Sequence, residues 1–338
     1  MSVWRIVFMG TPRFAGPILE ALLGRADPVV GVVCQPDRPR GRGLLTAPPA
    51  IKEIAIARGL PVLQPERLRD ASFASALRAL APDLIVVAAY GKILPPAILA
   101  IPPRGCLNVH ASLLPRHRGA APIPRAILAG DTVTGVTVMV MNEEMDAGDI
   151  LMRRETPIAA DDTGGTLADR LAHLGAGAIG EALDGLARGT LRDRLAHLGA
   201  GAIGEALDGL ARGTLRAIPQ PADEATFAPR IERDQCRLEW QRPAVELERQ
   251  VRALAPEPSA FTQLAGRVLK VHRAAVEREL PSEAPTGQII RAGPDGILVT
   301  TGAGGLRLLE VQLEGRRRLS ADRFLAGHRL PPGTCLGE

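Results

Sequence analysis

The sequence lacks the features of an exported, membrane-spanning or metal-binding protein. No segment has about 18 consecutive apolar residues, the length that crosses a bilayer, and the apolar start MSVWRIVFMG is too short for a signal peptide. The cysteines are few and form no CxxC pair: Cys34, Cys106, Cys236 and Cys335. This spacing encodes neither a zinc site nor a disulfide framework. We therefore expect a cytoplasmic protein with no metal site and no membrane span.

Lysine is also scarce, because Lys52, Lys92 and Lys270 are the only three in 338 residues. Nearly all positive charge is arginine, which a codon bias explains as readily as a function does, so the arginine count itself indicates nothing. The net charge is +4, and residues 230–330, with 17 basic and 13 acidic side chains, carry a net +4 of their own. A polyanionic partner is therefore permitted but not required.

The first half of the chain alternates between buried-strand and helix patterns. The chain is 46% hydrophobic, which is enough for a sizeable core, and its length favours two domains. A helical pattern over 48–59 lies between continuous apolar runs that are typical of buried strands: 3–9, 29–35 and 82–90. This order predicts an α/β fold with a Rossmann-like, doubly wound, mostly parallel sheet. Ligands bind at the carboxyl ends of such strands, where Gly10, Gln35 and Tyr90 lie.

The character of the chain changes near residue 219. A polar, proline-rich stretch predicts an interdomain linker over 214–229, after a catalytic domain that we place at 1–189. One helical pattern follows at 243–254, and then come short strand-like runs separated by glycine: 267–274, 287–292, 296–301 and 306–313. We expect a small antiparallel β barrel in a second domain, 230–338.

Residues 166–189 recur almost unchanged as residues 190–213. The copies agree at 23 of 24 positions and differ only at Ala168 against Arg192. A lone, near-identical pair is not a solenoid, so it indicates a recent duplication or an assembly error. An offset of 24 residues at about 100° per residue turns the second apolar stripe by roughly 240°. One straight helix therefore cannot bury both copies, and we expect a break near Gly189, with one copy docked on the core.

The apolar positions of the first copy fall roughly on one helical face, although its glycines weaken the helix. These positions are Leu167, Leu171, Leu174, Ala178 and Leu186.

The chemistry is concentrated in GCLNVHASLLPRHRGAAP, residues 105–122, and in MNEEMDAGDI, residues 141–150. Asn108 and His110 are two apart, so on a strand their side chains point to the same side, where Asp146 could join them. An isolated Asn-X-His sequence more often serves hydrogen bonding in a strand than catalysis. The trio, however, suits acyl transfer to an amine: Asn108 and a protonated His110 donate to the oxyanion, and Asp146 orients His110. The amine itself attacks, so no serine or cysteine nucleophile is needed.

Together, NVHASLLPRHRGAAP and MDAGDI resemble the signature of the folate-dependent formyltransferases, and the resemblance extends over almost the entire chain. It implies that Asn108, His110 and Asp146 are catalytic, with 10-formyltetrahydrofolate as co-substrate and no metal or permanently bound cofactor. It also implies contacts between the folate and seven residues: Ser112, Leu113, Leu114, Pro115, Tyr90, Gly91 and Ile93. Tyr90 could equally be a packing residue.

The signature does not identify the acceptor of the formyl group. The loop QPDRPRGRG, residues 35–43, resembles the insertion loop that enters the acceptor arm in methionyl-tRNA formyltransferases. The resemblance implies tRNA contacts at Arg38, Arg40, Gly41 and Arg42, and a second contact from an OB-like C-terminal barrel. We therefore expect a monomeric enzyme that formylates initiator methionyl-tRNA.

Other interpretations stay open at this point. The basic loop could be merely solvated, the chain could formylate an amino-sugar nucleotide, or it could be a non-catalytic tRNA-binding relative. The sequence also departs from the family pattern, with His117 at a usually aromatic position and Leu44 and Leu45 at positions that are often polar or basic. Glu257 stands where an aromatic residue often lies between the two prolines. These departures bear on tRNA affinity and local packing.

Overall fold

The computed structural model of the chain describes residues 3–40, 45–187, 217–280 and 284–337. These residues form two compact units. The first comes from residues within 1–122, 133–157 and 168–229, and the second from residues within 123–132, 158–167 and 230–338. Residues 217–229, part of the predicted linker, thus belong to the first unit.

A seven-stranded sheet forms the centre of the first half of the chain. Its strands are β1 (Ile6–Gly10), β2 (Val29–Val33), β5 (Val62–Leu63), β6 (Leu84–Ala88), β7 (Cys106–His110), β8 (Val133–Val140) and β9 (Ile150–Pro157), and a separate two-stranded hairpin is formed by β3 (Arg38–Arg40) and β4 (Leu45–Ala47). The spatial order is β5-β2-β1-β6-β7-β8-β9, with parallel pairing up to β7 and antiparallel pairing beyond it. Every residue of β1, β6 and β7 is buried, as strands in the centre of a sheet that is covered on both faces require. The predicted Rossmann-like sheet is confirmed.

The described helices are α1 (Gly16–Leu23), α2 (Ala50–Ala57), α3 (Ala71–Ala79), α4 (Pro96–Leu99), α5 (Pro122–Ala129), α6 (Gly164–Ala187), α7 (Ala244–Leu254) and α8 (Ala321–Leu325). Across the described part of the chain, none of them has the length and apolar character that crossing a bilayer requires.

Residues 166–187 of the first repeat copy lie within α6, which runs without interruption for 24 residues. Leu171 and Ala178 are buried as predicted, whereas Leu174 and Leu186 are only partly buried. Glycine permits close packing here, because a Cβ on Gly175 would lie 2.9 Å from Val109 Cγ1 of β7. The second copy and the predicted break near Gly189 lie outside the described residues.

The second unit contains a separate antiparallel sheet. Its strands are β10 (Ala260–Leu264), β11 (Arg267–Glu277), β12 (Ile289–Gly293), β13 (Gly296–Thr300), β14 (Gly305–Leu313) and β15 (Leu319–Ser320). They pair in the order β10-β11-β14-β13-β12, with β15 on β14. A core cluster that includes Trp240, Leu247, Val251 and Phe324 packs on this sheet. The predicted helix over 243–254 is confirmed as α7.

Candidate active site

Strand β7 presents Asn108 and His110 on one face of the first sheet, as their spacing of two predicts. Val109, between them, faces the other way and meets α6 at Gly175. Asn108 and His110 are both buried. Two polar side chains buried next to each other need partners, because an unpaired buried polar group is costly.

Asp146 supplies those partners from the loop that follows β8. Asn108 Nδ2 donates to Asp146 Oδ1 at 3.2 Å, and Asp146 Oδ2 lies 3.6 Å from His110 Nδ1, an ion-pair distance longer than a hydrogen bond. The backbone N–H of Gly119 also donates to Oδ2, at 2.9 Å. Asp146 has φ +51, a left-handed conformation that non-glycine residues seldom adopt. The structure thus brings the three predicted catalytic residues together.

The second nitrogen of His110 is bound by the loop after β7. His110 Nε2 lies 2.9 Å from the carbonyl oxygen of His117, which itself has φ +59. The ring nitrogens therefore face a carbonyl oxygen and a carboxylate, and both of these groups only accept hydrogen bonds. Nε2 carries a hydrogen to bond with the His117 carbonyl, whereas the 3.6 Å between Nδ1 and the Asp146 carboxylate is too long for a hydrogen bond.

The predicted folate-contacting loop is tightly organised. Ser112, Leu114 and Pro115 are buried, and Leu113 is partly buried. Ser112 Oγ donates to the carbonyl oxygen of Arg116 at 2.6 Å, and the Leu114–Pro115 peptide bond is cis. The Ser112 hydroxyl is thus occupied within the loop itself.

The second predicted group of folate contacts lies just beyond β6. The Tyr90 side chain is buried within the core cluster beneath the sheet, and burial raises the pKa of its phenol. Its backbone carbonyl accepts from Thr11 Oγ1 and from Gln35 Nε2, each at 3.1 Å. Gly91 and Ile93 are exposed. Tyr90 therefore packs in the core, whereas Gly91 and Ile93 are open to a ligand.

The basic loop, residues 35–43, includes β3 of the β3–β4 hairpin. Asp37, just before β3, accepts from Gln64 Nε2 and pairs with Lys52 Nζ, both at 2.7 Å. The hydrogen bonds from Gln64 and Lys52 lower the pKa of Asp37. Arg38 is exposed, and the backbone of Arg40 pairs with Leu45. Gly41 and Arg42, together with Leu44, lie outside the described residues.

The sequence interpretation missed the residues that hold the trio from the predicted linker. Gln220 Nε2 donates to the backbone carbonyls of Asp146 and Gly148, and Thr226 Oγ1 accepts from the His117 N–H at 2.8 Å. A proline-rich stretch has no periodicity that would indicate such contacts, because they depend on tertiary structure alone.

Comparison with known proteins decides the family. Residues 4–183 match the formyl transferase family, and residues 230–329 match the formyl transferase C-terminal domain. The methionyl-tRNA formyltransferase of Myxococcus xanthus is 49% identical over 334 residues, covering 99% of this chain and 98% of that protein. The chain belongs to the methionyl-tRNA formyltransferase family. The methionyl-tRNA formyltransferase of Pseudomonas paraeruginosa is 50% identical over 336 residues, and the alignment covers 99% of this chain and 100% of that protein. The resemblance predicted from the signature is confirmed.

More distant solved structures share the fold of this methionyl-tRNA formyltransferase family member. HypX from Aquifex aeolicus, solved with tetrahydrofolic acid, aligns with a TM-score of 0.60 at 18% identity, over 96% of this chain and 47% of that one. An N-formyltransferase from Helicobacter canadensis was solved with folinic acid and dTDP-3-aminofucose. It aligns with a TM-score of 0.59 at 14% identity, over 94% of this chain and 100% of that one. At such identities the likeness concerns the fold alone.

Proposed function

We propose that the chain transfers the formyl group of 10-formyltetrahydrofolate to the α-amino group of initiator methionyl-tRNA. The product is N-formylmethionyl-tRNA, which serves translation initiation. The convergence of Asn108, His110 and Asp146 carries this proposal, because it supplies donors for an oxyanion without a protein nucleophile. The full-length relatives named methionyl-tRNA formyltransferase support tRNA as the acceptor.

The reaction proceeds by direct attack of the amine on the formyl carbon. The new C–N bond forms, the carbonyl oxygen takes the negative charge, and the bond from carbon to the folate nitrogen then breaks. Asn108 has a second amide hydrogen beyond the one given to Asp146, and it donates this hydrogen to the oxyanion together with His110. The proton lost by the amine ends on the folate nitrogen, through His110 or a water. Asp146 stabilises the imidazolium electrostatically.

The folate lies along two loops in this proposal. Its contacts come from the Ser112–Pro115 turn and from Tyr90, Gly91 and Ile93. Since Ser112, Leu114 and Pro115 are buried, the backbone of that turn and the partly buried Leu113 make the contacts there.

The tRNA is held at two places. Arg38, Arg40, Gly41 and Arg42 meet the acceptor arm, and the antiparallel second unit is an OB-like barrel whose net +4 over 230–330 attracts the phosphate backbone. In this proposal the enzyme works as a monomer in the cytoplasm, and no metal takes part.

A panel of acceptors tests the substrate assignment. The full chain is incubated with 10-formyltetrahydrofolate and either charged initiator methionyl-tRNA, glycinamide ribonucleotide or an amino-sugar nucleotide. Formylation of the charged tRNA alone is expected. Formylation of the sugar nucleotide without tRNA would instead identify an amino-sugar formyltransferase, and tRNA binding without any transfer would identify a non-catalytic relative.

A further inference from the structure

The side-chain amide of Gln220 bridges two loops of the first unit. Its Nε2 donates to the backbone carbonyl of Asp146 at 2.9 Å and to that of Gly148 at 2.8 Å. Its Oε1 accepts from Arg118 Nε and Nη2 at 3.0 and 2.7 Å. An amide has two hydrogens to donate and two lone pairs to accept with, so these four bonds use its full capacity.

The two bridged loops carry the groups that hold the catalytic trio. One loop contains Asp146 itself, in its left-handed conformation. The other contains the His117 carbonyl, which lies 2.9 Å from His110 Nε2, and the Gly119 N–H, which donates to the Asp146 carboxylate at 2.9 Å. A shift of one loop against the other would therefore change the position of the carboxylate relative to the imidazole.

Gln220 is itself held on both sides along the chain. Ile218 and Ile150 exchange two backbone hydrogen bonds of 2.8 Å on one side. On the other side, Thr226 Oγ1 accepts from the His117 N–H at 2.8 Å. A side chain anchored in this way can fix other groups, because its own position is set by the backbone.

Only an amide can make this bridge at position 220. A glutamate would place a negative charge against two carbonyl oxygens, and a lysine or arginine would offer no acceptor to Arg118. The orientation of the amide is also set by its surroundings, since carbonyl oxygens face one end and a guanidinium faces the other.

We propose that Gln220 is a positioning residue for formyl transfer, which fixes the Asp146 loop against residues 116–119 so that the carboxylate meets Asn108 and His110. The inference rests on the proposed function. Gln220 touches no reacting atom in this account and acts only through Asp146.

Steady-state kinetics of Gln220→Leu and Gln220→Glu test the proposal, with Glu224→Ala as control because Glu224 is exposed in the same segment. Gln220→Glu keeps the acceptors for Arg118, but it loses the donors for the Asp146 loop and places a negative charge against the two carbonyl oxygens there. Both variants should lower kcat on the order of 100-fold, with KM for tRNA and folate within about twofold. Glu224→Ala should match the unmodified chain. Unchanged kcat in the Gln220 variants would overturn the inference.

A double-mutant cycle with Asp146→Ala separates positioning from a general structural role. Asp146→Ala removes the carboxylate but keeps the backbone carbonyl that Gln220 binds. In that background, Gln220→Leu should change kcat by less than about threefold, since the group it positions is gone. Independent, multiplying losses would overturn the positioning role. An unmodified chain without formyl transfer would refute the proposed function itself, which distinguishes the two failures.

Discussion

At the residue scale, the hydroxyl of Thr137 holds the turn that follows β7. It donates to the carbonyl oxygen of Ser112 at 2.7 Å and accepts from the Leu114 N–H at 3.1 Å, with no exposed surface. We expect Thr137→Val to lower the free energy of unfolding by about 1–3 kcal/mol, because two buried backbone groups lose their partner. Urea denaturation measures this loss.

Thr134, on the same strand, is the matched control. It is also buried, yet its hydroxyl has no hydrogen-bond partner among the described residues. Thr134→Val should therefore be neutral or stabilising. Equal losses of stability in Thr134→Val and Thr137→Val would contradict the role given to the Thr137 hydroxyl.

His272 makes the stability of the second unit depend on pH. Burial lowers its pKa from the ordinary 6.5, and the hydrogen bond with Gln312 opposes this shift. The nearby charges of Arg318 and Lys270 lower the pKa further, whereas Glu310 raises it. Below pH 6.5 the unfolded chain therefore takes up a proton that the folded chain does not.

The contribution of His272 is accordingly complete above pH 6.5 and is lost as the pH falls through the folded pKa. We expect the free energy of unfolding to drop less between pH 7.5 and about pH 5.5 in His272→Gln than in the unmodified chain. Urea titrations at the two pH values measure the difference. An identical drop in both proteins would show that His272 does not carry this dependence.

Individual residues differed in how far the sequence could predict them. The spacing of two placed Asn108 and His110 on one side, because strand geometry is local. The position of Asp146 came from the family signature. No sequence pattern indicated the hydrogen bonds from Gln220 to the Asp146 loop, because a contact between residues 74 positions apart arises only in the folded chain.

At the element scale, helix α6 shows how packing overrides local preference. Its glycines predicted a weakened helix, yet the helix is continuous, because Gly175 lets it approach β7. A Cβ at Gly175 would lie 2.9 Å from Val109 Cγ1, whereas a Cβ at Gly177 would meet nothing within 4 Å. Helix propensity alone treats the two glycines as equivalent, and only the tertiary contact distinguishes them.

Alanine substitutions at these two glycines should have opposite effects. Gly177→Ala should raise the free energy of unfolding by about 1 kcal/mol, which is the difference in helix propensity. Gly175→Ala should lower it by about 1 kcal/mol, because overpacking costs about 1–3 kcal/mol against that gain. Thermal or urea denaturation compares them. Equal stabilisation by both would refute the close approach of α6 to β7.

At the scale of the whole molecule, the catalytic groups and all their described partners lie outside the second repeat copy. The trio is held by residues of β7, the loops at 116–119 and 146–148, and the segment 217–229. We therefore expect a chain that lacks residues 190–213 to keep formyl transfer, with kcat/KM within about threefold of the full chain. Activity in only one of the two chains would show that the second copy affects the active site.

The Rossmann-like sheet followed from the alternation of apolar runs, because these patterns report burial directly. The sequence did not predict that each unit is built from separate chain segments, because residues 123–132 and 158–167 group with the second unit only in three dimensions.

The most direct test of the central claim is formyl transfer from 10-formyltetrahydrofolate to charged initiator methionyl-tRNA, measured side by side for the full chain and for His110→Ala. The full chain should produce N-formylmethionyl-tRNA, and His110→Ala should lose about 100-fold or more in kcat because the oxyanion loses a donor. Thermal melting of both proteins controls for folding. No transfer by the full chain, or undiminished transfer by a folded His110→Ala, would contradict the account.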